Sequence, residues 1–232
     1  GEGESRITSL DDAMQRLGLE KVKRIALNTS VLTLFNGNQF TNHFSPDTLW
    51  THSVGVAVAS ASLADFLRFP MSDQAYSCGL IHDIGKLAKL KYDPQNFCEE
   101  LNKANELGLS NFHTEMTHHK IRHDLLGAQI ANAWGISPLV EAVAKWHHEE
   151  DRSKRTDIDD PDTHKLIDIV QFSNSLINEM KFGNSGHSKT ETPSPPIMRR
   201  LKMSEDELEE FEEKLKIELE REKEQISLLN KK

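Results

Sequence analysis

A His-Asp pair stands at the end of an apolar stretch, in the run Gly79-Leu-Ile-His-Asp-Ile-Gly-Lys86. Burying an imidazole and a carboxylate without partners is costly, so the pair is expected to bind something. Neighbouring helical residues diverge by about 100°, yet these side chains can bend toward one point, and Gly85 lets the backbone stay close. Lys86 adds a cation that could meet a phosphate or another anion. A hydrogen-bonded pair at a helix end, with a solvated lysine, explains the run equally well.

Histidines from three other segments indicate the same kind of site. His52 lies on an apolar helical face, His123 precedes an apolar run, and His147-His148 ends another apolar segment. A lone histidine in such a place is usually a hydrogen-bonded core residue, but four segments that each supply histidine are harder to explain separately. Imidazoles with one or two carboxylates suit Fe, Mn, Zn or Ni ions. We therefore expect one or two divalent transition-metal ions. Such ions activate water and polarise phosphoryl oxygens, so phosphoester hydrolysis is the natural reaction.

The segments that carry these residues are all predicted to be helices. No stretch shows sustained alternation of β-branched and polar residues, and helix openings recur at Ser45-Pro46, Asp93-Pro94 and Ser137-Pro138. A short first helix is capped by Ser9 and closed by Gly18. The later helices are predicted at 19–35, 45–69, 72 through the His-Asp pair, 94–108, 111–119, 121–134, 137–149 and 163–182. The predicted fold class is all-α.

The pattern predicts four parts of the chain. Residues 1–40 form an N-terminal helical segment, 41–182 a helical core, 183–200 a flexible loop rich in Gly, Pro, Ser and Thr, and 201–232 an acidic helix. The last helix begins with a capping box at Ser204-Glu-Asp-Glu207. Its apolar stripe, which consists of Leu208, Phe211, Leu215 and Leu219, is expected to pack on the core. A partner-binding or coiled-coil role is the alternative for this amphipathic helix.

Composition excludes several classes of protein. The chain has 28 basic and 37 acidic residues, a net charge of −9, so no general attraction to nucleic acid or to anionic lipid is expected. Cys78 and Cys98 have no spacing typical of a zinc ribbon or a redox pair. No stretch reads as a signal peptide or a membrane span. These features favour a cytoplasmic protein that contacts neither nucleic acid nor membrane.

The chain resembles the HD superfamily of metal-dependent phosphohydrolases, and most closely its HD-related output branch, HDOD. The resemblance spans about Arg6 to Met180. It rests on four stretches, namely Ile7–Gly18, Leu49–Ser53, Gly79–Leu87 and His123–Ala128 continuing through Trp134 to Glu149. It implies a helical bundle around the His-Asp pair and a regulatory role in bacterial signalling. The family usually has further helices before the region that starts at Ile7, which implies a truncated or unusually short relative.

The resemblance also implies roles for individual residues. Six positions match the ligands of a two-metal centre in the active HD-GYP relatives, namely His52, His82, Asp83, His123, His147 and His148. Lys86 matches a lysine near the scissile phosphate, which makes Lys86 and Asp83 the candidate catalytic residues. Asn174 stands where active enzymes have a metal-binding aspartate, and an amide oxygen brings no negative charge. Asp168, six residues away on the same helix, is expected to face elsewhere.

Two departures from the active relatives determine the expected function. One is Asn174, and the other is the run His148-Glu-Glu-Asp-Arg152, which lacks their Gly-Tyr-Pro signature. We therefore expect a regulatory module that binds metal, a small phosphorylated ligand or a signalling protein through the old active-site pocket. An active phosphohydrolase acting on a phosphodiester or nucleotide is the first alternative, and a scaffold with hydrogen-bonded histidines is the second. The sequence leaves the oligomeric state open.

Overall fold

A computed structural model describes residues 14–16, 18–35, 44–118, 121–189 and 192–229. These residues contain helices and no strand, which confirms the predicted all-α fold. The chain divides into two compact units, Gly1–Asn36 and Gly37–Lys232. Ser9, the predicted cap of the first short helix, lies outside the described residues.

The helices are numbered in chain order. The first unit contains α1 (Leu19–Phe35). The second contains α2 (Pro46–Phe66), α3 (Ser72–Ile81), α4 (Ile84–Tyr92), α5 (Pro94–Leu107), α6 (Asn111–His118), α7 (His123–Ala133), α8 (Pro138–Trp146), a 3₁₀ turn at Arg152–Lys154, α9 (Pro161–Glu179), α10 (Pro195–Leu201) and α11 (Glu205–Leu229).

Helix α2 forms the centre of the second unit. It opens with a capping box in which Ser45 and Thr48 satisfy each other's backbone N–H groups, and Pro46 occupies the first turn. Most of its residues are buried, and α3, α9 and α11 pack against it. Gly79 of α3 lies so close that an added Cβ would stand 2.8 Å from the carbonyl oxygen of Val56. This contact fixes the helix that leads into the His-Asp pair.

The His-Asp pair lies in a helix break. The sequence predicts one helix from Ser72 through Asp83, whereas α3 ends at Ile81 and α4 begins at Ile84. Asp83 occupies the residue before α4, with φ −101° and ψ 16°. The break places both side chains between two helix ends rather than on diverging helical faces. The prediction of a continuous helix is therefore wrong at the pair itself.

Gly85 brings α4 against α7. A Cβ on Gly85 would stand 1.9 Å from the carbonyl oxygen of His123, so any side chain would force the two backbones apart. The sequence suggests that Gly85 serves close backbone approach, and the structure agrees. The approach positions His123 over the first turn of α4.

The prediction of a flexible loop over 183–200 is wrong at its end, because Pro195–Leu201 forms helix α10. Ser194 caps α10, and Ile197 and Leu201 are buried. The segment also packs near its start, where the backbone N–H of Asn184 donates to Thr48 O at 2.9 Å. Gly and Pro residues in this segment therefore mark tight turns and a helix start.

Helix α11 packs against α2. Phe211, Leu215 and Leu219 are buried, and the Phe211 ring lies 5.6 Å from that of Phe66. The capping box is also present, because Ser204 N donates to the Glu207 carboxylate at 2.8 Å and Glu207 N donates to Ser204 Oγ at 3.2 Å. The apolar stripe thus serves intramolecular packing.

Asp168 faces away from the His-Asp pair, as its position on α9 predicts. Its buried carboxylate accepts hydrogen bonds from Arg152, Arg155 and Arg200, at 2.6, 2.8 and 2.7 Å. These arginines lie in or beside the 3₁₀ turn and in α10. The cluster therefore connects three elements through one carboxylate.

None of the helices in the described ranges has the length and apolar character that crossing a bilayer requires.

Candidate metal centre

Candidate ligands from several helix ends and mid-helix positions lie close together in the second unit. His52 comes from the middle of α2, His82 and Asp83 from the α3–α4 break, and Asn174 from the middle of α9. His123 is the first residue of α7, and His147 directly follows α8. The structure thus brings together all the site residues predicted from the sequence, including His148 and Lys86. Two groups of these residues have ligand atoms close enough to hold an ion, Asp83 with His123, His147 and His148, and Asp83 with His52 and His82.

The two oxygens of Asp83 face different sets of groups. Oδ1 lies 3.2 Å from His123 Nε2 and 3.5 Å from His147 Nε2. Oδ2 lies 3.3 Å from His82 Nε2 and 2.7 Å from Lys86 Nζ. A carboxylate between two sets of nitrogens is typical of a bridging ligand. Asp83 is therefore the one residue common to both groups.

Three of these atoms are buried without a hydrogen bond in the described part of the chain, namely Nε2 of His82, Nε2 of His147 and Oδ1 of Asp83. The opposite ring nitrogens are satisfied, because His82 Nδ1 donates to Gly79 O at 2.7 Å and His147 Nδ1 donates to Ala144 O at 2.9 Å. In the neutral imidazole, each Nε2 would therefore offer a lone pair to an ion beside the carboxylate. Buried unpartnered acceptors that converge in this way fit a metal ion.

The group around Asp83 Oδ1 is the better candidate for a metal. His123 Nε2 also lies 3.0 Å from His148 Nε2, so three imidazoles and one carboxylate oxygen converge. Burial lowers the pKa of His147 and His148, which favours the neutral imidazole that a metal requires. Phe112 stacks on the outer side of His148 with ring centroids 4.4 Å apart. This donor set suits a divalent transition metal.

The second group has weaker donors. His52 Nε2 donates to Asn174 Oδ1 at 3.0 Å, so that nitrogen carries a proton rather than a free lone pair. The Asn174 oxygen also accepts from Asn178 Nδ2 at 3.1 Å. Burial lowers the pKa of His52. The amide predicted to weaken one metal position therefore binds His52 and Asn178 instead.

Lys86 is buried beside Asp83 rather than exposed to solvent. Its ammonium donates to Asp83 Oδ2 at 2.7 Å and to Ser185 O at 3.1 Å. Burial acts to raise the pKa of Asp83, but the charges of Lys86 and His82 hold that pKa well below its usual value. Lys86 thus keeps the central carboxylate ionised. An incoming phosphate would have to compete with Asp83 and Ser185 for the same ammonium.

Sequence reasoning missed the residues that surround the ligands. Glu115 of α6 accepts from His123 Nδ1 at 2.6 Å, and Ser185 approaches Lys86 from a segment predicted to be a loop. The imidazole Nδ1 of His187 is buried without a hydrogen bond among the described residues, and burial together with Lys86 lowers the pKa of His187 to about 3. Glu115 lies in a short amphipathic segment among other polar residues, and nothing in its spacing distinguishes it.

Comparison with known families decides the assignment. The sequence profile of the HDOD domain matches residues 2–150, which is more than half of the chain. The chain belongs to the HDOD family. The matched range includes every predicted site residue of this HDOD domain except Asn174. A search of curated protein sequences found no match.

Solved structures share the HDOD fold. An HDOD domain protein of unknown function from Geobacter sulfurreducens is 19% identical, with a TM-score of 0.68, over 96% of this chain and 74% of that one. A candidate signal transduction protein from Marinobacter aquaeolei is 20% identical, with a TM-score of 0.73, over 97% of this chain and 48% of that one. The MmoQ response regulator from Methylococcus capsulatus is 20% identical, with a TM-score of 0.56, over 88% and 75%. Identities this low show the fold alone.

Proposed function

We propose that this HDOD domain is a regulatory signalling module that binds a divalent transition metal in the His-Asp pocket. The observation that carries the proposal is the convergence of unpartnered His82, Asp83 and His147 atoms in a buried, histidine-rich site. His123 and His148 complete the donor set. A bound metal would supply Lewis acidity and a large local positive charge. The residues hold and orient it, and Lys86 keeps Asp83 charged.

Burial of the site favours regulation over turnover. His52, His82, Asp83, Lys86, His123 and His147 are each at most 2% exposed. The Lys86 ammonium already contacts Asp83 and Ser185, and Asn174 is bonded to His52. A small ion fits this arrangement better than a phosphodiester does. A signalling role is also supported by the fold-sharing response regulator and candidate signal transduction protein.

The metal state would reach a partner through the helices that supply the ligands. We propose that the partner is a signalling protein, with the outer face of α11 as the first surface to test. That face carries most of the acidic residues of the segment and the exposed side chain of Ile217. A small phosphorylated ligand is the other candidate effector, and it would have to displace Ser185 O from Lys86.

An active metal-dependent phosphohydrolase is the second candidate function. It is favoured by one observation, the position of Asp83 between two sets of histidines, which suits a bridged pair of ions. Hydrolysis of generic phosphodiesters by Mn- or Fe-loaded protein would establish this function. Absence of turnover in protein shown to contain metal would leave the regulatory function.

Replacement of His147 tests the metal site. We expect His147→Ala to abolish or strongly reduce metal binding while the domain stays folded, because His147 contributes an unpartnered nitrogen to the group around Asp83 Oδ1. Metal content of untagged protein, measured by mass spectrometry, and helical circular dichroism give the two readouts. His164→Ala is the matched control, because His164 is a half-buried histidine bonded to Ile158 O and belongs to neither ligand group. Equal metal content in both variants would show that the site is misplaced.

A further inference from the structure

The histidines of the group around Asp83 Oδ1 differ in the acceptor that each Nδ1 atom contacts. Among them, His147 donates its Nδ1 proton to a backbone carbonyl, whereas His123 donates to a carboxylate, Oε2 of Glu115, at 2.6 Å. The same Glu115 oxygen accepts from the backbone N–H of His123 at 3.0 Å. Glu115 therefore fixes both the ring and the start of α7. His123 Nε2 is left facing Asp83 Oδ1 and His148 Nε2.

Glu115 is itself part of a buried ionic cluster. Its other oxygen, Oε1, accepts from Lys89 Nζ at 2.6 Å. Lys89 also donates to Glu100 and to Ile121 O, the latter at 2.9 Å. Lys89, Glu100 and Glu115 together carry a net charge of −1, and both carboxylate residues are fully buried. The cluster connects α4, α5 and α6 to the first residue of α7.

Glu115 differs from the other residues of the ionic cluster because it contacts a candidate metal ligand. The Glu115 carboxylate accepts from His123 Nδ1 through Oε2 and from Lys89 Nζ through Oε1. A metal-bound imidazole whose other N–H faces a carboxylate is held in one tautomer and becomes a better donor. Glu100 shares the cluster through Lys89, whereas the acceptor of the His123 Nδ1 proton is Glu115.

We infer that Glu115 is a positioning residue for the metal site, which fixes His123 with Nδ1 protonated and Nε2 directed at the ion. The inference rests on the proposed metal-binding function. Glu115 acts through His123 and does not itself bind the ion. Its negative charge also offsets part of the charge that a dication brings to the pocket.

Glu115→Gln tests the inference, with Glu100→Gln as the matched control. Both substitutions remove one buried carboxylate that accepts from Lys89, and only the first removes the acceptor of His123. We expect Glu115→Gln to weaken Zn²⁺ affinity by about 10–100-fold, as loss of such partners typically does. Glu100→Gln should leave that affinity close to wild type. Calorimetric titration with Zn²⁺ measures both, and thermal melting of the metal-free proteins measures their stability.

A second measurement needs no variant. In Zn²⁺-loaded wild-type protein, ¹⁵N spectra of the imidazoles should show His123 with Nε2 bound to the ion and Nδ1 protonated. A zinc-bound Nδ1 would overturn the inference. Equal Zn²⁺ affinity in Glu115→Gln and wild type would also overturn it. Equal weakening of Zn²⁺ affinity in Glu115→Gln and Glu100→Gln would show that Glu115 has a purely structural role. If wild-type protein and Glu100→Gln both fail to bind metal, the proposed function fails and this inference fails with it.

Discussion

At the residue scale, Asp83 and its neighbours determine what the pocket can hold. One oxygen of Asp83 faces His123 and His147, and the other is bonded to Lys86. The Lys86 ammonium lies beside Oδ2, the oxygen that a second ion would need as a negatively charged ligand. One ion beside Oδ1 is therefore the favoured occupancy, and Asn174 adds to this preference because it supplies no charge.

Asn174→Asp should strengthen metal binding. A carboxylate at this position would add a negative charge beside His52, which shares a ligand group with Asp83. A charge pair at close range is worth several kcal/mol at an effective dielectric near 20. Part of that gain offsets desolvation, so we expect affinity for Mn²⁺ or Zn²⁺ to rise about tenfold or more, ~1.4 kcal/mol. Metal titration measures the change.

Asn178→Asp provides the control for this prediction. It adds the same charge one helical turn further along, at a residue that donates to Asn174 Oδ1. If both variants bind metal equally well, general electrostatic attraction explains the gain, and Asn174 is not at a ligand position.

The clustering of the candidate ligands could be predicted from the sequence because each one interrupts an apolar stretch. A histidine such as His52 within a buried face requires a partner, and four such segments indicate a common site. Glu115 could not be found this way, since carboxylates are ordinary in short polar helices. Its contact with His123 depends on how α6 packs against α7, which periodicity does not encode. The hydrogen bond from Lys86 Nζ to Ser185 O joins residues 99 positions apart, so the local sequence pattern does not predict it either.

At the element scale, close helix packing positions the candidate ligands. Helix ends were predicted within a few residues because Ser-Pro and Asp-Pro openings have a direct backbone cause, as at α2 and α5. The break at the His-Asp pair was not predicted, because the apolar run through Ile81 and Ile84 continues the helical pattern. Tertiary contacts of α3 with α2, and of α4 with α7, determine the break.

Gly85→Ala should destabilise the fold and disturb the metal site together. Its Cβ would stand 1.9 Å from the carbonyl oxygen of His123, so α4 and α7 must separate. Overpacking against backbone costs about 3 kcal/mol or more. We expect the free energy of unfolding in urea to fall by this amount, with weaker metal binding as His123 moves.

Gly127→Ala on the facing helix α7 is the matched control. The atoms nearest to a Cβ added at Gly127 lie 3.4–3.5 Å from it, which is ordinary van der Waals contact. Alanine also favours helix over glycine by up to about 1 kcal/mol. Stability close to or above wild type is therefore expected. Similar losses in Gly85→Ala and Gly127→Ala would show that the close approach at Gly85 has no special role.

At the scale of the whole molecule, the described helices of the second unit surround one buried histidine-rich pocket. Candidate ligands come from α2, the α3–α4 break, α7, the end of α8 and α9, and the Asp168 cluster joins α9 to α10 on another face. A change in a bound metal would therefore act on the ends of several helices at once. This arrangement suits a module whose output depends on the occupancy of the pocket.

Anomalous diffraction at the metal edge, from crystals of protein loaded with Mn²⁺, Fe²⁺ or Zn²⁺, tests the central claim most directly. We predict a peak in contact with Asp83 Oδ1 and with Nε2 of His123 and His147. Folded protein that shows no peak in this pocket, or a peak confined to surface residues, would contradict the assignment of the His-Asp pocket as a metal site.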